Sequence, residues 1–269
     1  AGDPAMKRFV LLGMAAALTL GACAGPVRVI VAAGTTLVDS GIIDELTAQY
    51  EAEHPGIELS VVGESTARVL DLGRRGAADL LITHAPDLEA EFVAEGLAAR
   101  YQPVLVSRFV LAGPSSSDLE TPVSVGDALA GIAGRGDLFV SRSDGSGTHQ
   151  KEMELWEMAG VDPRGAEWYV ETGQGMGLTL QVADQRAAFV LCELGVFLAA
   201  GPSLSLEEIP LFEDSVLTNP YQITVVGGSE VESAADGFAA WLLSEEGRRA
   251  IISANNTLFD RPVYQPAGS

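Results

Sequence analysis

Val27-Arg28-Val29-Ile30-Val31-Ala32, followed by Gly34-Thr35-Thr36, Ser40-Gly41-Ile42-Ile43 and, further on, His54-Pro55-Gly56, is the stretch on which the fold turns. Its first six residues are a short apolar run rich in β-branched side chains, the mark of a buried strand. Gly34-Thr35-Thr36 reads as a loop and Ser40 as the N-cap of a helix. Ile42, Ile43, Leu46 and Tyr50 then recur at helical spacing until Pro55-Gly56 stops the helix. The pattern repeats outward, with strands predicted over residues 57–63 and 79–83 and helices over 66–75 and 87–95. Strand, short loop and helix in strict alternation describe a parallel, doubly wound α/β lobe. Residues 102–113 form an extended run long enough to leave that lobe. A second alternating unit follows, with helices over 124–133, 148–159 and 175–183 and strands over 138–141 and 188–192. An extended segment at 221–227 supplies a return crossing, and residues 229–254 read as helical and pack back on the first lobe. The predicted fold class is therefore α/β, with two doubly wound lobes joined by two extended crossover segments. One lobe takes residues 23–110 plus 222–269 and the other 111–221. In open α/β sheets ligands sit at the carboxyl ends of strands, which places a ligand in the cleft between the lobes and makes closure a hinge motion.

Composition narrows the partners. The 269 residues carry 37 acidic against 16 basic side chains, a formal charge of −21. So acidic a surface repels phosphate backbones and anionic headgroups, and nucleic acid is excluded as a partner. Apolar residues make up 47% and the mean hydropathy is +0.22, ample for cores of this size. Residues 1–22 read as a signal peptide, with Ala1–Ala5 a remnant or extended start ahead of Met6. Lys7 and Arg8 form its positive region, and the apolar run over residues 9–20 is too short to span a bilayer. Leu20-Gly21-Ala22-Cys23 resembles a bacterial lipobox, which implies lipidation of Cys23, Cys192 left as a buried free thiol, and membrane contact through the lipid anchor only. The expected location is periplasmic or extracytoplasmic.

Three polar loops each precede a predicted helix: Gly34-Thr35-Thr36, Gly63-Glu64-Ser65-Thr66, and Ser141-Arg142-Ser143-Asp144-Gly145-Ser146-Gly147-Thr148-His149. Helix starts offer unsatisfied N–H groups and partial positive charge, hydroxyls add donors, and the forked Arg142 guanidinium suits a tetrahedral oxyanion. An N-cap and turn with no ligand is the alternative for the first two loops. It fits the third poorly, because a cap needs one such residue and not seven in succession. Asp144 is expected to orient Arg142, or to accept a proton from a ligand such as hydrogen phosphate. His149 reads as a capping or packing residue. The glycines beside Ser146 do not form the Gly-x-Ser-x-Gly elbow of a hydrolase, and three scattered histidines offer no metal spacing. The expectation is no enzyme, no cofactor and no metal.

The chain resembles the periplasmic tungstate-binding proteins that serve ABC transporters. The residues that carry the resemblance are Thr35-Thr36 with Ser40-Gly41-Ile42-Ile43-Asp44, Asp79 through Thr83-His84-Ala85-Pro86, the Arg142 loop, Trp168-Tyr169, Gly175-Met176-Gly177, and Asn219 with Tyr221. The resemblance implies a type II periplasmic binding protein fold and an interlobe site for tungstate, or molybdate, built from Thr35, Thr36, Ser65, Thr66, Arg142, Ser146, Gly147 and Thr148. It implies a membrane permease and a cytoplasmic ATPase as partners, and a monomer. His84 is read as a structural signature and not as a ligand. The family's first loop is a run of five threonines and serines; here Ala33-Gly34-Thr35-Thr36-Leu37 keeps fewer hydroxyls, and backbone N–H groups near Gly34 are expected to substitute. The Arg142–Thr148 segment also resembles the motif of phosphate importers, so a phosphate-binding protein stays open as an alternative. A serine-type hydrolase using Ser146 is the less favoured one, and a sensory or adhesion lipoprotein a third.

Overall fold

The computed structural model describes residues 25–115, 124–212 and 215–268. The expected signal peptide and Cys23 lie outside the described residues. The chain begins with β1 (Val27–Gly34), α1 (Thr35–Asp39), α2 (Ile42–Glu53), β2 (Ile57–Glu64), α3 (Thr66–Arg74), β3 (Leu80–Thr83) and α4 (Pro86–Ala94). The long β4 (Ala98–Pro114) leads to α5 (Val125–Arg135), β5 (Phe139–Ser141), α6 (Gly147–Met158), β6 (Tyr169–Glu171) and α7 (Met176–Arg186). Next come β7 (Val190–Glu193), α8 (Leu194–Ala200), β8 (Leu206–Glu208), β9 (Thr218–Val226), α9 (Glu232–Leu242), α10 (Glu245–Leu258) and β10 (Gln265–Pro266).

β1 lies between β2 and β3, parallel to both, and β9 closes β3 antiparallel. β4 then changes partners along its length. From Ala98 to Arg108 it pairs with β9, and from Phe109 onward with β7 and β8. Side chains alternate faces along a strand, and β4 uses that rule to feed two cores. Val110 and Ala112 join the core that also holds Leu37, Leu180, Tyr221 and Phe238, while Phe109 and Leu111 join Phe139, Trp156 and Leu191. A third core under α3 and α4 gathers Ala32, Val69, Leu70, Leu81 and Phe92. α9 packs on β9 and α10 on α2, so the C-terminal helices return to the first parallel sheet.

Two local expectations are corrected. Thr35 and Thr36 open a five-residue helix and are not in a loop. Ser40 ends that helix, its hydroxyl donating to the Leu37 carbonyl at 3.2 Å, and Gly41 stands at the N-cap of α2 with φ +80°. A left-handed residue there reverses the chain between two helices, and glycine adopts that conformation without a side-chain clash. Four elements lack an expectation: the three-residue strands β6 and β8, the two-residue β10, and α8, whose N-cap is Glu193 accepting from the Val196 N–H at 3.1 Å.

Candidate oxyanion site

Parallel pairing brings three strand ends flush. Gly34 registers with Glu64, and Ala33 with Ile82, so Thr35, Ser65 and His84 emerge side by side at the carboxyl ends of β1, β2 and β3. The Arg142 loop meets them from the other part of the chain. It leaves β5 at Ser141, turns through Ser143 (φ +46°) and Gly145 (φ +70°), and enters α6 at Gly147. The two sides touch. An Arg142 Nη donates to Thr35 Oγ1 at 3.3 Å, and a Cβ built on Gly147 would lie 2.7 Å from His84 Cε1 and 2.9 Å from the His84 carbonyl oxygen. Beside this contact lies a groove of about 830 Å³, lined by His84, Asp87, Phe109, Gly147, Lys151 and Asn219 among others.

Arg142 is 1% exposed, among the largest fully buried side chains of the chain. A buried guanidinium is costly unless paired. Asp144 supplies the pair, accepting from Nε at 3.1 Å and from Nη at 2.6 Å on one carboxylate oxygen. Its other oxygen accepts the Ser146 N–H at 3.1 Å. Burial pushes the Asp144 carboxyl up, but the Ser146 hydroxyl and N–H and the nearby guanidinium outweigh burial and hold it below its ordinary range. The guanidinium is thus locked in place and its formal charge cancelled. An anion here is met mainly by N–H and O–H dipoles.

Those dipoles are partly unspent. Thr66 and Thr148 are 1% and 0% exposed, and neither Oγ1 has a hydrogen-bond partner among the described residues. A buried hydroxyl left so costs about 1–3 kcal/mol unless a ligand or water completes it. Thr66 opens α3 and Thr148 lies in the first turn of α6, so both stand where helix N–H groups are free. Ser65 caps α3 with no side-chain bond to the helix.

The remaining nominated residues are committed elsewhere. Ser146 spends its N–H and hydroxyl proton on Asp144, and its oxygen caps the His149 N–H at 3.4 Å. Thr36 Oγ1 shares a 2.9 Å bond with Tyr221 Oη. His149 Nδ1 accepts from the Gly145 N–H, so it shapes the loop and does not pair with Ser146 as a base. Among the described residues no group of His, Cys, Asp and Glu is arranged to hold a metal ion, and Cys192 is a buried free thiol.

Two further residues stand at this junction, neither of them nominated as a ligand from the sequence. His84, 8% exposed, bonds through Nδ1 to Asn219 Oδ1 at 3.0 Å, and burial chiefly, with help from Arg142, lowers its pKa to about 4 against the pull of Asn219. Asp39 keeps an exposed edge, yet partial burial pushes its carboxyl up against the opposing influence of Arg142 and the Gly177 N–H that it accepts. His84, read from the sequence as a structural signature, follows the apolar run Leu80-Leu81-Ile82 and Thr83, at the end of β3.

Residues 21–246 match the PBP superfamily domain. The chain belongs to that superfamily. It is 34% identical over 246 residues to the tungstate-binding protein TupA of Peptoclostridium acidaminophilum, an alignment covering 88% of this chain and 85% of that one. A putative ABC transporter anion-binding protein of Haloferax volcanii is 36% identical over 81% of this chain and 66% of its own length. Among solved structures, the tungstate ABC transporter protein of Geobacter sulfurreducens superposes with a TM-score of 0.76 at 33% identity, covering 84% of this chain and 98% of that chain. The tungstate-binding protein TupA of Desulfovibrio alaskensis G20 gives 0.76 at 28%, covering 90% and 100%. The family resemblance and the α/β fold class read from the sequence agree with these matches.

Proposed function

We propose that this chain is the solute-binding component of an ABC importer, capturing the tungstate dianion in the cleft between two lobes and delivering it to a membrane permease coupled to a cytoplasmic ATPase. The observation that carries the reading is the buried, Asp144-paired Arg142 together with the buried hydroxyls of Thr66 and Thr148, which have no hydrogen-bond partner among the described residues. Relatives named for tungstate binding support the choice of anion. In the proposed site Thr35, Ser65, Thr66, Arg142 and Thr148 contact the oxyanion through side chains, and Thr36, Ser146 and Gly147 contribute through shape and backbone. Asp144 orients Arg142. Molybdate, nearly the same size, is the expected competitor. Division into lobes at residues 110/111 and 221/222 is supported by the change of β4 partners after Arg108. We also propose that the protein acts outside the cytoplasmic membrane as a monomer, anchored by lipid at Cys23, without catalysis or cofactor. No helix among the described residues is long and apolar enough to cross a membrane.

Phosphate is the second reading, and Asp144 argues against it. A hydrogen phosphate would need to donate its proton to a free carboxylate lone pair. Asp144 already accepts four bonds, two from the Arg142 guanidinium and two from the Ser146 N–H and hydroxyl, which fills its lone pairs. Thermal unfolding with tungstate, molybdate, sulfate, phosphate and chromate tests the choice. At a ligand concentration of about 100 Kd, linkage adds about 2.7 kcal/mol, roughly 5–10 °C for a chain of this size. Tungstate should give that rise and sulfate and phosphate none. A rise with phosphate alone would replace this reading, and no rise with any of them would remove it.

A further inference from the structure

The His84 ring is wedged between the two loops assigned to the oxyanion. On one side, a Cβ built on Gly34 would meet Cδ2 at 3.5 Å and Nε2 at 3.7 Å; on the other, a Cβ built on Gly147 would meet Cε1 at 2.7 Å. Nε2 is the ring atom between Cδ2 and Cε1, so it looks into the gap where the first loop and the Arg142 loop converge. The side chain is 8% exposed, and Nε2 has no hydrogen-bond partner among the described residues. We propose that His84 is a further oxyanion-contacting residue, donating its Nε2–H to bound tungstate, with Asn219 setting the tautomer that puts the proton there.

Resting on the function proposed above, the argument is one of hydrogen-bond polarity. An unprotonated dianion only accepts, so a bare Nε2 lone pair facing it would be repelled. A neutral ring with its proton on Nε2 needs a donor at Nδ1. Asn219 can be that donor. Its amide lies 3.0 Å from Nδ1 on one side and faces Tyr221 Oη at 3.0 Å and Ser107 Oγ at 3.4 Å on the other. Both outer partners are hydroxyls, which give or take a proton equally well, so the amide is satisfied either way round. With Asn219 Nδ2 turned to His84, the Tyr221 hydroxyl donates to Asn219 Oδ1, and Thr36 donates to Tyr221 across their shared bond. No charge is created, and Asn219, Tyr221 and Thr36 each keep a partner. Arg142, which opposes a positive charge on this ring, is compatible with a neutral donor.

Two measurements with sodium tungstate test the proposal. First, ¹⁵N NMR of the full chain labelled at histidine distinguishes the tautomers directly, and only His54, His84 and His149 need assignment. At pH 7.5 the tungstate-bound protein should show His84 protonated at Nε2 and bare at Nδ1. The opposite tautomer in the bound state would overturn the proposal. Second, titration calorimetry should give His84→Ala a loss of about 10- to 100-fold in tungstate affinity, the range of one hydrogen bond to an ion. His84→Gln, whose amide can still donate, should recover most of it. Ala binding as tightly as wild type would overturn the proposal while leaving the function in place. Wild type giving no tungstate heat would overturn both.

Discussion

Gly147→Ala isolates the contact between the two sides of the site. Gly147 opens α6 without a positive φ, so alanine meets no backbone penalty and slightly favours the helix. Its new methyl, however, would sit 2.7 Å from His84 Cε1, 2.8 Å from Nδ1 and 2.9 Å from the His84 carbonyl oxygen. Comfortable separations are about 3.5–4.0 Å, and the carbonyl belongs to backbone that cannot swing aside. The Arg142 loop must therefore retreat from the ends of β1 and β3 by roughly 0.5–1 Å, an overpacking worth about 1–3 kcal/mol. Under the proposed function this contact tightens as the two sides close on the ligand, so the cost is expected to fall on the closed arrangement and to spare an open one. Tungstate affinity should drop roughly 5- to 150-fold at 1.4 kcal/mol per decade, while ligand-free thermal unfolding changes little. Titration calorimetry of the two proteins side by side is the assay. An alanine variant that binds within twofold of wild type would refute the idea that these loops close on the ligand.

Other expectations follow from charge and burial. Arg142→Ala should cost about 2–5 kcal/mol of tungstate binding, as truncation of a buried hydrogen-bonded charge does. It should also destabilise the ligand-free protein, because Asp144, with its side chain 16% exposed, loses its partner; calorimetry and urea unfolding separate the two effects. Glu152, bonded to Tyr169 within the core and raised mainly by burial to a pKa of about 7, contributes stability that is complete below pH 4.5 and lost as pH rises through 7. That limb is worth roughly 3 kcal/mol by linkage and should vanish in Glu152→Gln, as urea unfolding at pH 5 and pH 8 would read. His84 acts with the opposite sign. Its stability is present above pH 6.5 and lost as pH falls through about 4, so His84→Gln should soften acid unfolding.

Where periodicity was strong, the chain could be read directly. β1, α2 and the strand–helix alternation through α4 announce themselves by β-branched runs and by Ile42, Ile43, Leu46 and Tyr50 on one face, all buried. α1 could not be seen. Five residues starting with two threonines have no intrinsic helix stability, and Leu37, buried in the main core, holds them in place. Ser40 looked like a cap because Ser-Gly before an apolar pair is an N-terminus signature. Its hydroxyl instead accepts from Tyr264, 224 residues away, a partner no local pattern contains. Strands β6 and β8 are three residues each, too short for a period of two to emerge. In the site, Arg142 and its glycine-rich loop were legible as an anion motif. That Ser146 serves Asp144, and that His84 bridges the two loops, depends on which loops meet in space.

Crystals grown with tungstate and measured at the tungsten absorption edge would locate the anion outright. A single anomalous peak is expected within hydrogen-bond reach of an Arg142 Nη, the Thr66 and Thr148 hydroxyls and His84 Nε2. A peak elsewhere on the molecule, or none at tungstate concentrations that raise the melting temperature, would contradict the account.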